Sequence, residues 1–150
     1  MCSRHWFYCF LVCIVACTFS SAQPGDTDHK EEPVTELGQW MDRMNSAFRK
    51  LRRQADNAAL NPSSIELVAI IQESAAKALE LTPEKTEDLP EGERAKFVER
   101  YREELGKLIT QLKELEAAFR ADDNALALQQ IRALGAARKH GHEEFQKDQN

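Results

Sequence analysis

Apolar residues recur at intervals of three and four along four stretches of this chain, which is the spacing of one face of an α-helix. Thr35 and Asp123 are N-cap residues before the first and last stretch, and Asn61-Pro62 is typical of a helix start. The apolar positions are Leu37, Met41, Met44, Phe48 and Leu51; Ile65, Val68, Ile71, Ala75, Ala78 and Leu79; Phe97, Tyr101, Leu105, Leu108, Leu112, Leu115 and Phe119; and Leu128, Ile131, Leu134, His142 and Phe145. We predict helices over 35–56, 62–81, 93–121 and 124–147.

The four predicted helices are joined by short connections, and no stretch shows the alternation of a β-strand. Short connections make consecutive helices antiparallel neighbours. The pattern therefore predicts an all-α fold, an up-down-up-down antiparallel four-helix bundle, over residues 35–147.

The residues before the bundle are of two kinds. Phe7–Ala16 is an apolar run of ten residues, too short for a stable membrane anchor, and small residues follow it up to Ala22. We interpret 1–22 as a signal peptide, which predicts a periplasmic or secreted protein, and the polar segment 23–34 as a flexible linker. A second interpretation stays open: residues 14–17 resemble a lipobox, which would make the protein a lipoprotein anchored at Cys17.

Cysteine and charge restrict the chemistry of the mature chain. All four cysteines lie in the predicted signal peptide, so disulfides, zinc–thiolate sites, iron–sulfur clusters and thioether-linked haem are excluded after cleavage. With Arg4 also removed, 19 basic residues face 25 acidic ones, a net charge of −6. This balance argues against nucleic acid or an anionic membrane as a partner and fits a soluble protein that meets a basic one. We expect the protein to be soluble or lipid-tethered and to be a monomer.

Two side chains with affinity for iron fall at one end of the predicted bundle. Met41 lies about 9 Å along its helix from the Thr35 cap, and His142 lies about 7.5 Å from the end of the last helix. The first and last helices are adjacent, so we expect both side chains to face the core at matching depth. A thioether and an imidazole placed in this way can ligate one haem iron from opposite sides. Met44 is the alternative sulfur ligand, whereas His140 lies about 200° round the helix from His142 and should be solvated.

The residues around Met41 and His142 resemble those of a known family. Leu37-Gly38-Gln39-Trp40-Met41-Asp42-Arg43-Met44-Asn45, together with Leu134-Gly135, Arg138, His142 and Phe145, looks like the cytochrome b562 family of periplasmic haem proteins. Cytochrome b562 is itself a known up-down-up-down bundle. The resemblance implies non-covalent haem b, with Met41 and His142 as iron ligands and Arg138 near a propionate. Met44 and Phe145 complete the expected cofactor-binding residues, and Gly141 departs from the aromatic residue usual beside the histidine.

These observations leave three functional hypotheses. The first is a one-electron carrier for a redox partner protein that the sequence does not identify; no enzyme motif accompanies it. The second is a haem-free bundle acting as an interaction or stress module, in which Met41 and His142 are only core residues. The third is a copper site formed by Met41, Met44, His140 and His142, and the opposed faces of the two histidines count against it.

Overall fold

Four long helices form the bundle in the structure, a computed structural model that describes residues 35–147. They are α1, Glu36–Gln54; α2, Asn61–Leu79; α3, Glu91–Arg120; and α4, Asn124–Phe145. Short 3-10 helices, Ala58–Leu60 and Glu84–Asp88, occupy two of the connections and were not predicted. The described residues contain no strand, so the predicted all-α four-helix bundle is confirmed. The predicted signal peptide and linker lie outside the described residues.

The helix starts follow local side-chain chemistry at two of three predicted positions. The Gly38 backbone N–H donates to the Thr35 hydroxyl at 3.1 Å, and the Leu126 N–H donates to the Asp123 carboxylate at 2.9 Å. Both predicted caps are therefore confirmed. The prediction for Asn61 was wrong, because α2 begins at Asn61 and no side chain caps it. Asn61 is instead buried, and its amide makes tertiary hydrogen bonds.

The interior consists of two groups of buried residues. The larger group, here called the central cluster, fills the middle of the bundle and the end where α1 runs into α2; it comprises Ala47, Phe48, Leu51, Ala55, Val68, Ile71, Leu112, Leu115, Ala118, Phe119, Ala127, Ile131 and Leu134. The smaller group, here called the terminal cluster, lies where α1 begins and α4 ends; it comprises Ala78, Phe97, Tyr101, Leu105 and Phe145. The seven predicted apolar positions of α3 contribute to both clusters.

A network of side-chain amides closes the bundle beyond the central cluster. The Asn61 amide donates to the side-chain oxygens of Asp122 and Asn124 at 2.8 and 3.1 Å. The Asn124 amide donates to the Asn61 side-chain oxygen at 2.9 Å and to the Ala55 carbonyl at 2.8 Å. Asp122 adopts a left-handed conformation, φ 55°, that aspartate tolerates better than most residues. The network joins the end of α1, the start of α2 and the α3–α4 turn.

The helices do not all approach one another equally. Along the chain each helix packs closely against the next, whereas the α-carbons of α1 and α4 come within 8 Å of each other at almost no position. Side chains therefore bridge most of the space between the first and last helices. Among the described residues, no helix is long and apolar enough to cross a membrane.

Candidate functional site

Met41 lies in the first half of α1, at the edge of the terminal cluster. It is half-buried and packs against that cluster together with Leu37. Met44 is also half-buried, but it packs against the central cluster. The two methionines therefore serve different parts of the interior, and only Met41 lies beside the group that contains Phe145.

Three aromatic rings form the centre of the terminal cluster. The Phe145 ring centroid lies 5.3 Å from that of Phe97 in a tilted arrangement and 5.5 Å from that of Tyr101, edge to face. Such pairs add about 0.5–1.5 kcal/mol to the energy of burial. The Tyr101 hydroxyl donates to the Ala78 carbonyl at 3.1 Å. The last turn of α4 is thus anchored by Phe145 to α3, and through Tyr101 to α2.

His142 lies one turn before Phe145 and is exposed to solvent. The prediction that its side chain would be buried in the apolar seam was therefore wrong. The physical reason is its position in the last turn of α4, at the end of the bundle, where solvent reaches the ring. Its neighbours still desolvate it in part, and this, followed by the charge of Arg138, lowers the pKa of His142 below 6.5. Both effects favour the neutral imidazole, which is the form that binds metals.

Arg138, one turn before His142, bridges α4 to α1. Its guanidinium lies 5.7 Å from the centre of the Phe48 ring, and one of its nitrogens donates to the Asn45 side-chain oxygen at 3.4 Å. That hydrogen bond is long, and the side chain remains exposed. Arg138 can therefore exchange its neutral amide partner for an anion without losing a strong interaction.

His140 is exposed, as the helical spacing predicted. Its Nε2 lies 3.5 Å from a carboxylate oxygen of Glu144, and the other oxygen of Glu144 accepts a hydrogen bond from Arg100 at 3.0 Å. The two histidines thus differ in their surroundings. Within residues 35–147, no group of three or more histidines and carboxylates lies close enough together to hold a metal ion, and the copper hypothesis gains no support from such a cluster.

The α2–α3 connection contacts the end of α4, which the sequence did not predict. The Lys85 ammonium donates to the Glu143 carbonyl at 3.4 Å, and Lys147 forms an ion pair with Asp88 at 3.2 Å. The first contact joins residues that are 58 positions apart in the chain, and the second joins residues that are 59 positions apart. Helical periodicity carries no signal for contacts of this kind, because they depend on how a connection lies across another helix.

The donor chemistry of two described residues fits haem iron. Met41 carries a thioether in apolar surroundings, and the lowered pKa of His142 favours the neutral imidazole, which is the form that binds metals. A Cβ atom built on Gly141 would meet nothing within 4 Å. The position where the resemblance expects an aromatic side chain therefore has space beside it.

Comparison with known proteins identifies the family of the chain. No curated protein matches the chain. The profile of the family described as cytochrome b562 matches residues 36–146, which includes all four helices and both expected iron ligands. That match covers well over half of the chain, and the chain therefore belongs to the cytochrome b562 family of haem-binding electron-transfer bundles, which are not enzymes.

Proposed function

We propose that this protein is a periplasmic one-electron carrier that holds a single non-covalent haem b between α1 and α4. Two observations support the proposal: the half-buried thioether of Met41 beside the terminal cluster, and the lowered pKa of His142, one turn before Phe145 of the same cluster. When bound, haem supplies a reversible one-electron change at its iron.

The chain's own residues have distinct tasks in this proposal. Met41 and His142 would hold the haem iron, and the thioether of Met41 would raise the reduction potential because it favours ferrous iron. Arg138 is the partner for a haem propionate, since its present contacts are weak and its charge is exposed. Phe145 packs beside the ligands, and Met44 remains in the central core.

Cellular location and partner belong to the same proposal. The signal peptide 1–22 would deliver the mature chain, beginning at Gln23, to the periplasm, and a lipid anchor at Cys17 is the alternative processing route. The intact mass of protein from an exporting host distinguishes the two start residues, and a mass retaining Met1 would refute export. We propose that the carrier is a monomer that exchanges electrons with a separate redox protein.

Haemin titration into the mature protein tests the cofactor and its ligands. We expect one equivalent to bind and to give sharp low-spin bands after reduction. The mature chain contains a single tryptophan, Trp40, next to Met41, so quenching of its fluorescence reports binding independently of the haem spectrum. His142→Ala should abolish the low-spin bands and weaken binding most. Met41→Ala should retain haem through His142 but lose the low-spin spectrum.

Two matched variants control for non-specific effects. His140→Ala removes a histidine two residues from the proposed ligand, and Met44→Leu replaces the methionine that packs in the central cluster. Both should bind haem with the wild-type spectrum. If the wild type shows no low-spin bands, or if Met41→Ala and His142→Ala resemble it, the haem-free bundle is the correct function. One observation favours that alternative, namely the exposure of His142.

A further inference from the structure

The second half of α1 carries a concentration of positive charge that has no counterpart elsewhere in the described bundle. Arg49, Lys50, Arg52 and Arg53, here called the α1 cation cluster, are all exposed. No acidic residue occurs between Asp42 and Asp56. Nothing in the chain's sequence therefore neutralises the cluster locally.

The α1 cation cluster lacks the acidic partners that several basic residues elsewhere in the bundle have. Elsewhere, Arg43 pairs with Glu73 at 2.7 Å, and Arg100 and Arg120 pair with glutamates at 3.0 and 2.6 Å. Within residues 35–147, no side chain of the cluster forms an ion pair or a hydrogen bond. Four neighbouring cations are thus left to interact only with water and with one another.

This arrangement works against the stability of the helix. Arg49 faces Arg52 and Arg53 at spacings of three and four, and Lys50 faces Arg53 at a spacing of three. Like charges at these spacings destabilise a helix by about 0.2–0.5 kcal/mol per pair. The helix dipole compensates for cations in the last turn, where Arg52 and Arg53 lie. The dipole does not compensate for Arg49 and Lys50, which lie before the last turn. Like charges placed together in a helix without compensation are typical of functional surfaces.

A groove of mixed polarity lies directly beside the cluster. Lys50 and Arg53 line it from α1, and Glu66 and the half-buried Leu67 and Ile70 line it from α2. The groove has a volume of about 410 Å³ and is open to solvent. Gln54 and Ser63, which also line it, are hydrogen-bonded to each other at 2.6 Å.

The same end of the bundle also exposes large aliphatic side chains. Leu60 and Leu126 are 39% and 40% exposed and are the large apolar residues of the described chain that remain this accessible. They adjoin the amide network of Asn61 and Asn124, beyond the end of the groove. Exposed aliphatic side chains at the same end of the bundle as a group of arginines are typical of protein-binding surfaces.

We propose that the α1 cation cluster and its groove bind an acidic amphipathic helix of a partner protein. Carboxylates on the partner would neutralise the unpaired cations, and its apolar face would cover Leu67 and Ile70. A narrow segment suits this surface better than a flat anionic membrane, because the net charge of −6 on the mature chain would be repelled by an extended negative surface. The net charge of the chain favoured a basic partner, whereas this local surface favours an acidic one.

This binding surface is separate from the proposed haem site. Arg53 lies twelve residues after Met41, which is about 18 Å along the axis of α1 at 1.5 Å per residue. A partner held there leaves the Met41–His142 end accessible. The proposal therefore stands or falls independently of haem binding and is tested on the mature protein with and without added haemin.

Fluorescence anisotropy with designed peptides tests the proposal. The probe is a labelled amphipathic helical peptide with leucine on one face and glutamate on the other; a second peptide replaces glutamate with lysine, and a third replaces leucine with serine. We expect saturable one-to-one binding of the first peptide only, weakening as salt rises from about 0.05 M to about 0.3 M because screening reduces charge attraction. Comparable binding of the lysine or serine peptide would overturn the proposal.

Matched double variants locate the binding surface. Arg49→Gln/Arg53→Gln should raise the Kd for the acidic peptide about tenfold, equivalent to about 1.4 kcal/mol. Lys96→Gln/Lys113→Gln removes the same charge from exposed positions of α3 and should leave the Kd within about twofold of wild type. Circular dichroism verifies that both variants are folded. An equal loss in the two variants, or tighter binding to anionic vesicles than to the peptide, would refute the assignment.

Discussion

The two ends of the bundle are built differently. At the end where α1 runs into α2, fully buried side chains such as Leu51, Leu115 and Phe119 pack together, and the Asn61–Asn124 amides close the structure with reciprocal hydrogen bonds. At the other end, the terminal cluster is smaller and is bordered by partly exposed residues that include Met41. The His142 side chain there forms no hydrogen bond within residues 35–147.

This difference indicates that one end of the bundle stabilises the fold and the other can bind a ligand. Buried, hydrogen-bonded groups stabilise a fold but have no capacity left for a ligand. A half-buried thioether and an unpartnered imidazole stabilise the fold less, and they retain that capacity. The predictions below test the difference between the two ends, beginning with the largest expected effect.

Removing a central side chain should have the largest effect on stability. Leu115→Ala should lower the free energy of unfolding of the haem-free protein by about 2–5 kcal/mol, because Leu115 is fully buried and leaves a cavity. Met41→Ala, at the half-buried edge of the terminal cluster, should cost only about 1–2 kcal/mol. Urea titration followed by circular dichroism measures both values. Equal losses would mean that the two ends are equally well packed.

Alkaline pH should destabilise the Met41 end through Tyr101. Burial raises the pKa of Tyr101 from 10.0 to about 12, and the charge of Arg102 opposes this. A raised pKa means that the unfolded chain loses the tyrosine proton first. The contribution of Tyr101 to the stability of the fold is therefore present below pH 10 and is lost as the pH rises through 12. The loss is about 3 kcal/mol for a shift of this size.

Tyr101 is the single tyrosine of the mature chain, because Tyr8 lies in the predicted signal peptide. Tyrosinate absorbance therefore reports its titration without interference. Tyr101→Phe keeps the ring against Phe145 but removes the ionisable hydroxyl, and it should flatten the fall in stability between pH 10 and 12. An unchanged pH profile would show that another group is responsible.

Breaking the amide network should loosen the opposite end. Asn61→Ala removes the buried amide that donates to Asp122 and Asn124. This should lower the free energy of unfolding by about 1–3 kcal/mol. Asn124→Ala in the Asn61→Ala background should cost less than it does alone, since the reciprocal bonds are already lost. Chemical denaturation of the four proteins in this cycle measures the coupling. Strictly additive losses would contradict a cooperative network.

Filling the helix at Gly141 should stabilise the Met41 end. A Cβ atom there meets nothing within 4 Å, so Gly141→Ala gains helix propensity without a clash and should raise the free energy of unfolding by up to about 1 kcal/mol. Gly106→Ala, in α3 and equally unobstructed, is the matched control and should gain a similar amount. A loss of stability only at Gly141 would show that its flexibility is needed to place the last turn.

The smallest effect concerns the protonation of His142. Its pKa is lowered by partial desolvation and then by Arg138, so Arg138→Gln should raise the pKa toward 6.5 without fully restoring it. Because the lowered value favours the neutral ring in the folded state, this contribution to stability is present above pH 6.5 and is lost as the pH falls through the folded pKa. Nuclear magnetic resonance titration of the ring protons measures the shift. No change in Arg138→Gln would assign the effect to desolvation alone.

Local periodicity predicted more of the fold than of the site. Every helix was predicted to within a few residues, since the apolar faces repeat over many turns and Thr35 and Asp123 carry capping side chains. Asn61 was misassigned because an asparagine before proline is typical of a cap, and only its burial against Asn124 requires a different role. The exposure of His142 was missed for a related reason: periodicity predicts the direction of a residue but not whether another helix covers it.

The amino-acid sequence by itself determined the number of helices, their antiparallel order and the placement of Met41 and His142 at one end. These properties depend on spacing within a helix and on the shortness of connections, which are local. Only the tertiary structure decided how far α1 and α4 stand apart, that Phe145 anchors α4 to Phe97 and Tyr101, and that Lys85 reaches the Glu143 carbonyl. Those features arise from the packing of residues distant in the chain, where the best overall fit of many side chains determines each contact.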